Sequence, residues 1–190
     1  MRNNVSVSAG ACIIFALMLL ILPLQWVFAA AAAACIHELC HVAAIKLCGG
    51  YISAITFGSR GAEIRAFPMS AIREMICALA GPIGGLVLLL FSKWIPRIAV
   101  CAAFQSLYNL LPVYPLDGGR ALLCFAELID PRYANRICKA AQWICLVLVA
   151  MLALYACFQL RLGITPLLFA AALWWKTKNT PCKPPLLKVQ

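Results

Sequence analysis

The sequence predicts an all-α polytopic membrane protein, with six transmembrane helices and a small cytoplasmic-side β-hairpin after the second helix. Three observations lead there. Of 190 residues, 65% are hydrophobic and 12% charged, where a soluble domain is roughly half apolar and about 25% charged. A soluble fold of this length cannot hide so much apolar surface, so the bilayer is its natural solvent. The apolar residues fall into six runs, several near the ~20 residues that a spanning helix needs. Finally, if six spans leave both termini in the cytoplasm, thirteen of the sixteen Lys and Arg residues lie on that side and only Lys93, Arg97 and Arg161 lie opposite. The positive-inside rule expects this bias.

The first span covers roughly residues 5–23 and is ended by Pro23. The second covers roughly 26–47, through FAAAAAACIHELCHVAAIKL. The segment 49–67, GGYISAITFGSRGAEIRAF, alternates and is rich in β-branched and aromatic residues around Gly58-Ser59-Arg60-Gly61. That pattern predicts the hairpin. The third span, roughly 72–92, contains ALAGPIGGLVLLLF. The fourth, roughly 97–112, breaks at Pro112 and Pro115 and is followed by a helical piece near 118–129. The fifth covers roughly 137–158, and the short sixth, roughly 162–175, ends at Trp174 and Trp175, which suit an interfacial anchor. Residues 1–175 are read as one membrane domain and 176–190 as a short basic cytoplasmic tail without fixed structure. The expected location is the cell membrane, multi-pass.

The net charge of +10 does not indicate nucleic acid. The basic residues sit between apolar runs, where they orient a membrane protein, and form no patch on a polar domain. The eleven cysteines contain no CxxC pair and lie mostly inside apolar runs. They read as small reduced hydrophobes, not as a disulfide framework. The N-terminal Arg2, apolar stretch and alanine run resemble a signal peptide. Cleavage near Cys35 would cut the second helix just ahead of His37, so the uncleaved reading is preferred.

The chain has two histidines, His37 and His41, in the run His37-Glu38-Leu39-Cys40-His41. A spacing of four places both on one helix face, one turn apart, where two imidazoles reach a single zinc ion. Glu38 sits beside such a metal without binding it and is placed to take a proton from water. On composition alone this arrangement has a chance on the order of 10⁻⁴. Histidines and an acid inside a span also suggest function, since an ionised group at the bilayer centre costs about 2.5–3.5 kcal/mol or more. A catalytic zinc keeps three protein ligands and one open position. The third comes from the few remaining acids, Glu63, Glu74, Asp117, Glu127 and Asp130, or from the softer Cys40 and Cys124. Asp117 lies in NLLPVYPLDGGR at the end of an apolar span. A helix broken at membrane depth is tolerated where it lines a cavity, and an aspartate on such a break can turn toward a metal.

HELCH in a membrane helix, followed by NLLPVYPLDGGR, resembles the site-2 protease family of intramembrane metalloproteases. Within it the chain looks most like the bacterial stage IV sporulation protein FB type, over roughly residues 5–175. The resemblance implies zinc held by His37, His41 and Asp117, Glu38 as the catalytic acid/base, and Asn109 and Pro115 as substrate-holding residues. It implies a membrane-associated or membrane-tethered protein substrate, such as a pro-sigma factor or similar regulator in sporulation, together with membrane regulatory partners. The chain departs from the family at AGPIGG, where Gly85 stands in the place of a frequent asparagine. No CBS or PDZ segment is legible, so nucleotide-linked control through such a domain is not expected.

The expected reaction is therefore peptide-bond hydrolysis at a site open to the cytoplasm, on a substrate unwound at the cut. An extended substrate is expected to add to the hairpin edge along 51–57, near residues 51–66 overall. Two other readings use the same residues. A zinc-binding regulator or assembly partner without turnover has no need of Glu38. A metal transporter would offer several relay sites where one cluster is visible.

Overall fold

The computed structural model describes residues 4–7, 16, 19–58, 61–66, 69–159 and 163–178. Most of the first expected span and the tail beyond Lys178 lie outside them. The chain divides into two compact units, Met1–Asn109 and Leu110–Gln190.

The first unit begins with strand β1 (Asn4–Val7). This corrects the expected start of the first span at residue 5. Helix α1 (Leu24–Leu47) follows Pro23, the residue expected to end that span. Pro23 cannot continue a helix from the N-terminal side but suits the entry to one. Then come β2 (Ile52–Gly58) and β3 (Gly61–Ala66). These two pair antiparallel, Thr56 opposite Glu63 and Gly58 opposite Gly61. β1 pairs parallel to β2, Asn4 opposite Ala54 and Val7 opposite Phe57. The expected two-stranded hairpin is thus part of a three-stranded sheet in the order β1-β2-β3. A short strand meeting a partner more than forty residues later has no local signature, unlike a pair joined by a turn.

Helix α2 (Ala71–Val87) runs on into a 3₁₀ turn (Leu88–Phe91), and α3 (Pro96–Asn109) closes the unit. These three helices pack on one another. α1 buries Ala29, Ala33, His37, His41 and Ile45. These are every fourth residue, a single ridge of the kind that seats in the groove of a neighbouring helix. α2 answers with Cys77, Ala78, Gly81, Pro82 and Gly85, and α3 with Ala99, Ala102 and Ser106. Small residues let membrane helices approach closely when lipid supplies no hydrophobic drive between them. Large apolar side chains face outward instead: Phe28 is 64% exposed and Leu39 63%. This inversion of a soluble protein's surface fits a lipid solvent.

The second unit opens with a non-helical stretch, 110–116, as Pro112 and Pro115 led one to expect. Helices α4 (Asp117–Ile129), α5 (Ala134–Phe158) and α6 (Thr165–Lys178) follow. α4 packs on α5, and α5 on α6. Leu123, Ala126, Ala134 and Cys138 form its core, with Tyr114 against them. α6 reaches Lys178, so the helix extends past the expected end of the membrane domain at residue 175.

Among the described residues three helical stretches are long and apolar enough to cross a membrane: Leu24–Leu47, Ala71–Phe91 and Ala134–Phe158. α3 and α6 have 14 residues each and α4 has 13. At 1.5 Å per residue such helices reach only about 20 Å of a hydrocarbon core about 30 Å thick. Of the six expected spans, three are met by length and composition among the described residues.

Candidate functional site

His37 and His41 lie on the buried ridge of α1, 2% and 7% exposed. Their rings are nearly perpendicular, at 84°, and the two Nε2 atoms stand 3.2 Å apart. Two nitrogens each ~2.0–2.1 Å from a tetrahedral zinc lie about 3.3 Å apart. The pair already has the spacing that a shared zinc requires.

The tautomer of His41 follows from its neighbour. Nδ1 is 2.7 Å from the backbone carbonyl oxygen of Cys77 on α2. A carbonyl only accepts, so Nδ1 carries the proton and donates it. That leaves the lone pair on Nε2, the atom facing His37. Asn109, the last residue of α3, brings its side-chain Nδ2 to 3.1 Å from Nε2 of His37. It continues the buried line Ala99, Ala102, Ser106 by one more turn. Glu38 is half-buried on α1, next to His37 in the chain.

Glycines of α2 make this closeness possible. A methyl group at Gly81 would meet the ring of His41, at Gly84 the Sγ of Cys40, and at Gly85 the Oγ of Ser106. Gly81 and Gly85 form a GxxxG pair of the type that lets helix backbones approach. An asparagine at position 85 would need the space that Ser106 fills, and Ser106 is fully buried. This accounts physically for glycine at position 85. Cys40, weighed as a soft ligand, packs at Gly84.

Asp117 is half-buried in the first turn of α4, where the helix N-terminus favours negative charge. Its position is set by the preceding loop, which folds back on that turn. A Cβ at Gly118 would meet the carbonyl of Leu110, and one at Gly119 the backbone of Val113 and Tyr114. The amide of Leu116 donates to the Val113 carbonyl at 2.8 Å, and that of Arg120 to Leu116 at 2.9 Å. The Tyr114–Pro115 peptide bond is cis. The two glycines after Asp117 are therefore there because backbone crosses backbone.

His37 and His41 of the first unit offer two imidazole nitrogens to a metal ion, and Asp117 of the second unit is a carboxylate of the kind that completes such a set. Two imidazole nitrogens and a carboxylate oxygen are a donor set that zinc enzymes use, leaving a fourth position open. Neither Cys40, Cys124, Glu74, Glu127 nor Asp130 belongs to a metal-binding group among the described residues. Asp130 instead accepts from the amide of Arg132 at 2.9 Å in the turn before α5. The side chain of Glu63 lies outside the description. Sequence reasoning missed the Cys77 carbonyl and the contact of Gly81 with His41. Gly81 and Gly85 are legible as a close-packing motif, but the motif does not say which residue comes close.

No protein-family model matches the sequence, and no curated protein does either. Among solved structures the chain is similar to a site-2 protease from Methanocaldococcus jannaschii, with a TM-score of 0.60 and 16% sequence identity. The likeness covers 100% of this chain and 97% of the other. It shows a shared fold over the full length.

Proposed function

We propose that this chain is a zinc-dependent intramembrane endopeptidase that hydrolyses a membrane-associated or membrane-tethered protein. The observation that supports it most is the pair of buried Nε2 atoms 3.2 Å apart, one of them freed for a metal by the Nδ1 hydrogen bond of its ring. The protease fold of the neighbour and the carboxylate of Asp117 add to it. His37, His41 and Asp117 hold the metal. Zinc, when bound, polarises the scissile carbonyl and makes a water acidic. Glu38 takes the proton from the attacking water and hands it to the leaving amine, as a general base and then a general acid. Asn109 offers an N–H donor beside His37 and, with Pro115, holds the substrate backbone.

In this reading the chain lies in the cell membrane with both termini cytoplasmic, which the distribution of Lys and Arg supports; its apolar helices support the membrane location. The sporulation subtype, with a pro-sigma factor or similar regulator as substrate, rests on the motif resemblance alone. The direct test is reconstitution of the full chain in liposomes with membrane-anchored reporter proteins. Cleavage should stop on chelation and return when zinc is added back. Cleavage that persists in protein shown to be metal-free would overturn the zinc reading.

The expected docking of substrate along 51–57 needs revision. β2 is the central strand, paired with β1 over Ala54–Phe57 and with β3 on its other side, so over Ala54–Phe57 it has no open edge. The edge toward which an extended substrate can add is that of β3, Gly61–Ala66, where unpaired backbone groups remain to be satisfied. Proline placed singly along 61–66 should reduce cleavage only at the positions whose amides point outward, leaving zinc content unchanged. Proline in β2 should instead unfold the sheet at most positions. Full cleavage by every β3 variant would leave strand addition without support.

A further inference from the structure

One turn of α2 contacts His41 twice. The carbonyl of Cys77 accepts from Nδ1 at 2.7 Å, and the α-carbon of Gly81, four residues on, lies against the ring so closely that a Cβ there would meet Nε2, Cε1 and Cδ2. Residues four apart share a helix face. The imidazole is thus fixed at one nitrogen by a hydrogen bond and along its other side by a bare backbone. Both contacts come from main chain and not from side chains, on a helix that supplies no ligand to the candidate group.

We propose that Cys77 and Gly81 of α2 are the positioning residues of His41. The carbonyl of Cys77 selects its tautomer, and the absence of a side chain at 81 sets how the ring lies on the ridge of α1, so that α2 governs metal affinity without touching the metal. This rests on the metal-centre reading above. The groups that orient a ligating histidine typically change affinity by about 10–100-fold when lost. A methyl at position 81 can be accommodated only by moving the ring, and the ring cannot move far without lengthening the hydrogen bond to Cys77. At Gly84 the close neighbour is the terminal sulfur of Cys40, which can turn aside by rotation about one bond, while the Cβ of Cys40, at 3.1 Å, needs only a shift of a few tenths of an ångström. The two glycines lie in the same helix and interface but face different partners, which makes Gly84 the comparator for Gly81.

The experiment uses the full chain in detergent, as wild type, Gly81→Ala and Gly84→Ala, with helix content and Tm recorded for each. ¹⁵N NMR of the metal-free protein reads the imidazole tautomers, and only two histidines require assignment. Wild-type His41 is expected protonated at Nδ1, and Gly81→Ala is expected to show a mixed or reversed tautomer. Zinc affinity, measured by competition with a chromophoric chelator, is expected to fall about 10–100-fold in Gly81→Ala and to change about twofold or less in Gly84→Ala. An unchanged tautomer and affinity in Gly81→Ala overturns the proposal. So does an equal loss in both variants, since that marks a general effect of helix packing. A wild-type chain that binds no zinc overturns the metal-centre reading instead, and the tautomer measurement still decides the positioning of His41.

Discussion

Glu38→Gln is expected to abolish peptide hydrolysis while zinc remains bound. The substitution keeps the size and hydrogen-bonding reach of the side chain but removes the basic oxygen. Loss of a general acid–base group costs about 10²–10⁴-fold in rate. A residue that acts twice, on the attacking water and on the leaving amine, should fall at the upper end. The two ligating histidines are unaltered, so zinc per chain and its affinity should match wild type. Turnover of membrane-anchored reporters in liposomes, with metal content measured on the same preparation, gives both numbers. Near-wild-type turnover by this variant would remove Glu38 from the proposed mechanism. Lost turnover together with lost zinc would make it a ligand instead. The same variant separates a protease from a regulator that only holds zinc, because a regulator would keep its function.

Asp117→Ala should have the largest effect on the metal itself. It takes away one of three donors and the only one that is anionic, so the loss should exceed the about 10–100-fold typical of an outer partner. Asp117→Asn keeps an oxygen donor without the charge and should fall between the two. Zinc affinity by chelator competition checks this series. Retention of full affinity by Asp117→Ala would mean that the third donor is another residue or water. Its fold should survive, because Gly118 and Gly119, not the carboxylate, carry the close backbone crossing with residues 110–114.

His37, Glu38 and His41 were legible in the sequence because their relation is local. A helix repeat fixes which side chains share a face, and no knowledge of the fold is needed. The break at Pro112 and Pro115 was legible for the same reason, since proline lacks an amide hydrogen. Asp117 could be singled out among five acids only by its setting in the proline-broken stretch NLLPVYPLDGGR. The partners of His41 were beyond reach. A backbone carbonyl has no letter in the sequence, and Gly81 reads only as a place where some neighbour comes near. β1 was hidden for a different reason. Asn4–Val7 continues into an apolar run, so hydropathy merges it with the span that follows, and parallel pairing with β2 leaves no turn to betray it. Three of the expected spans are met by length and composition among the described residues; α3, α4 and α6 are shorter than a lone crossing needs, because apolar runs signal burial in lipid or protein alike.

The parallel pairing of β1 with β2 has a topological consequence. Two strands that share hydrogen bonds must lie in the same compartment. Asn4–Val7 and the paired stretch Ala54–Phe57 therefore face the same side of any bilayer in which the chain sits. The pairing thus ties the sidedness of β1 to that of β2, the strand after α1. A label at either place reports the same face, and no rearrangement that keeps the sheet intact can invert one without the other.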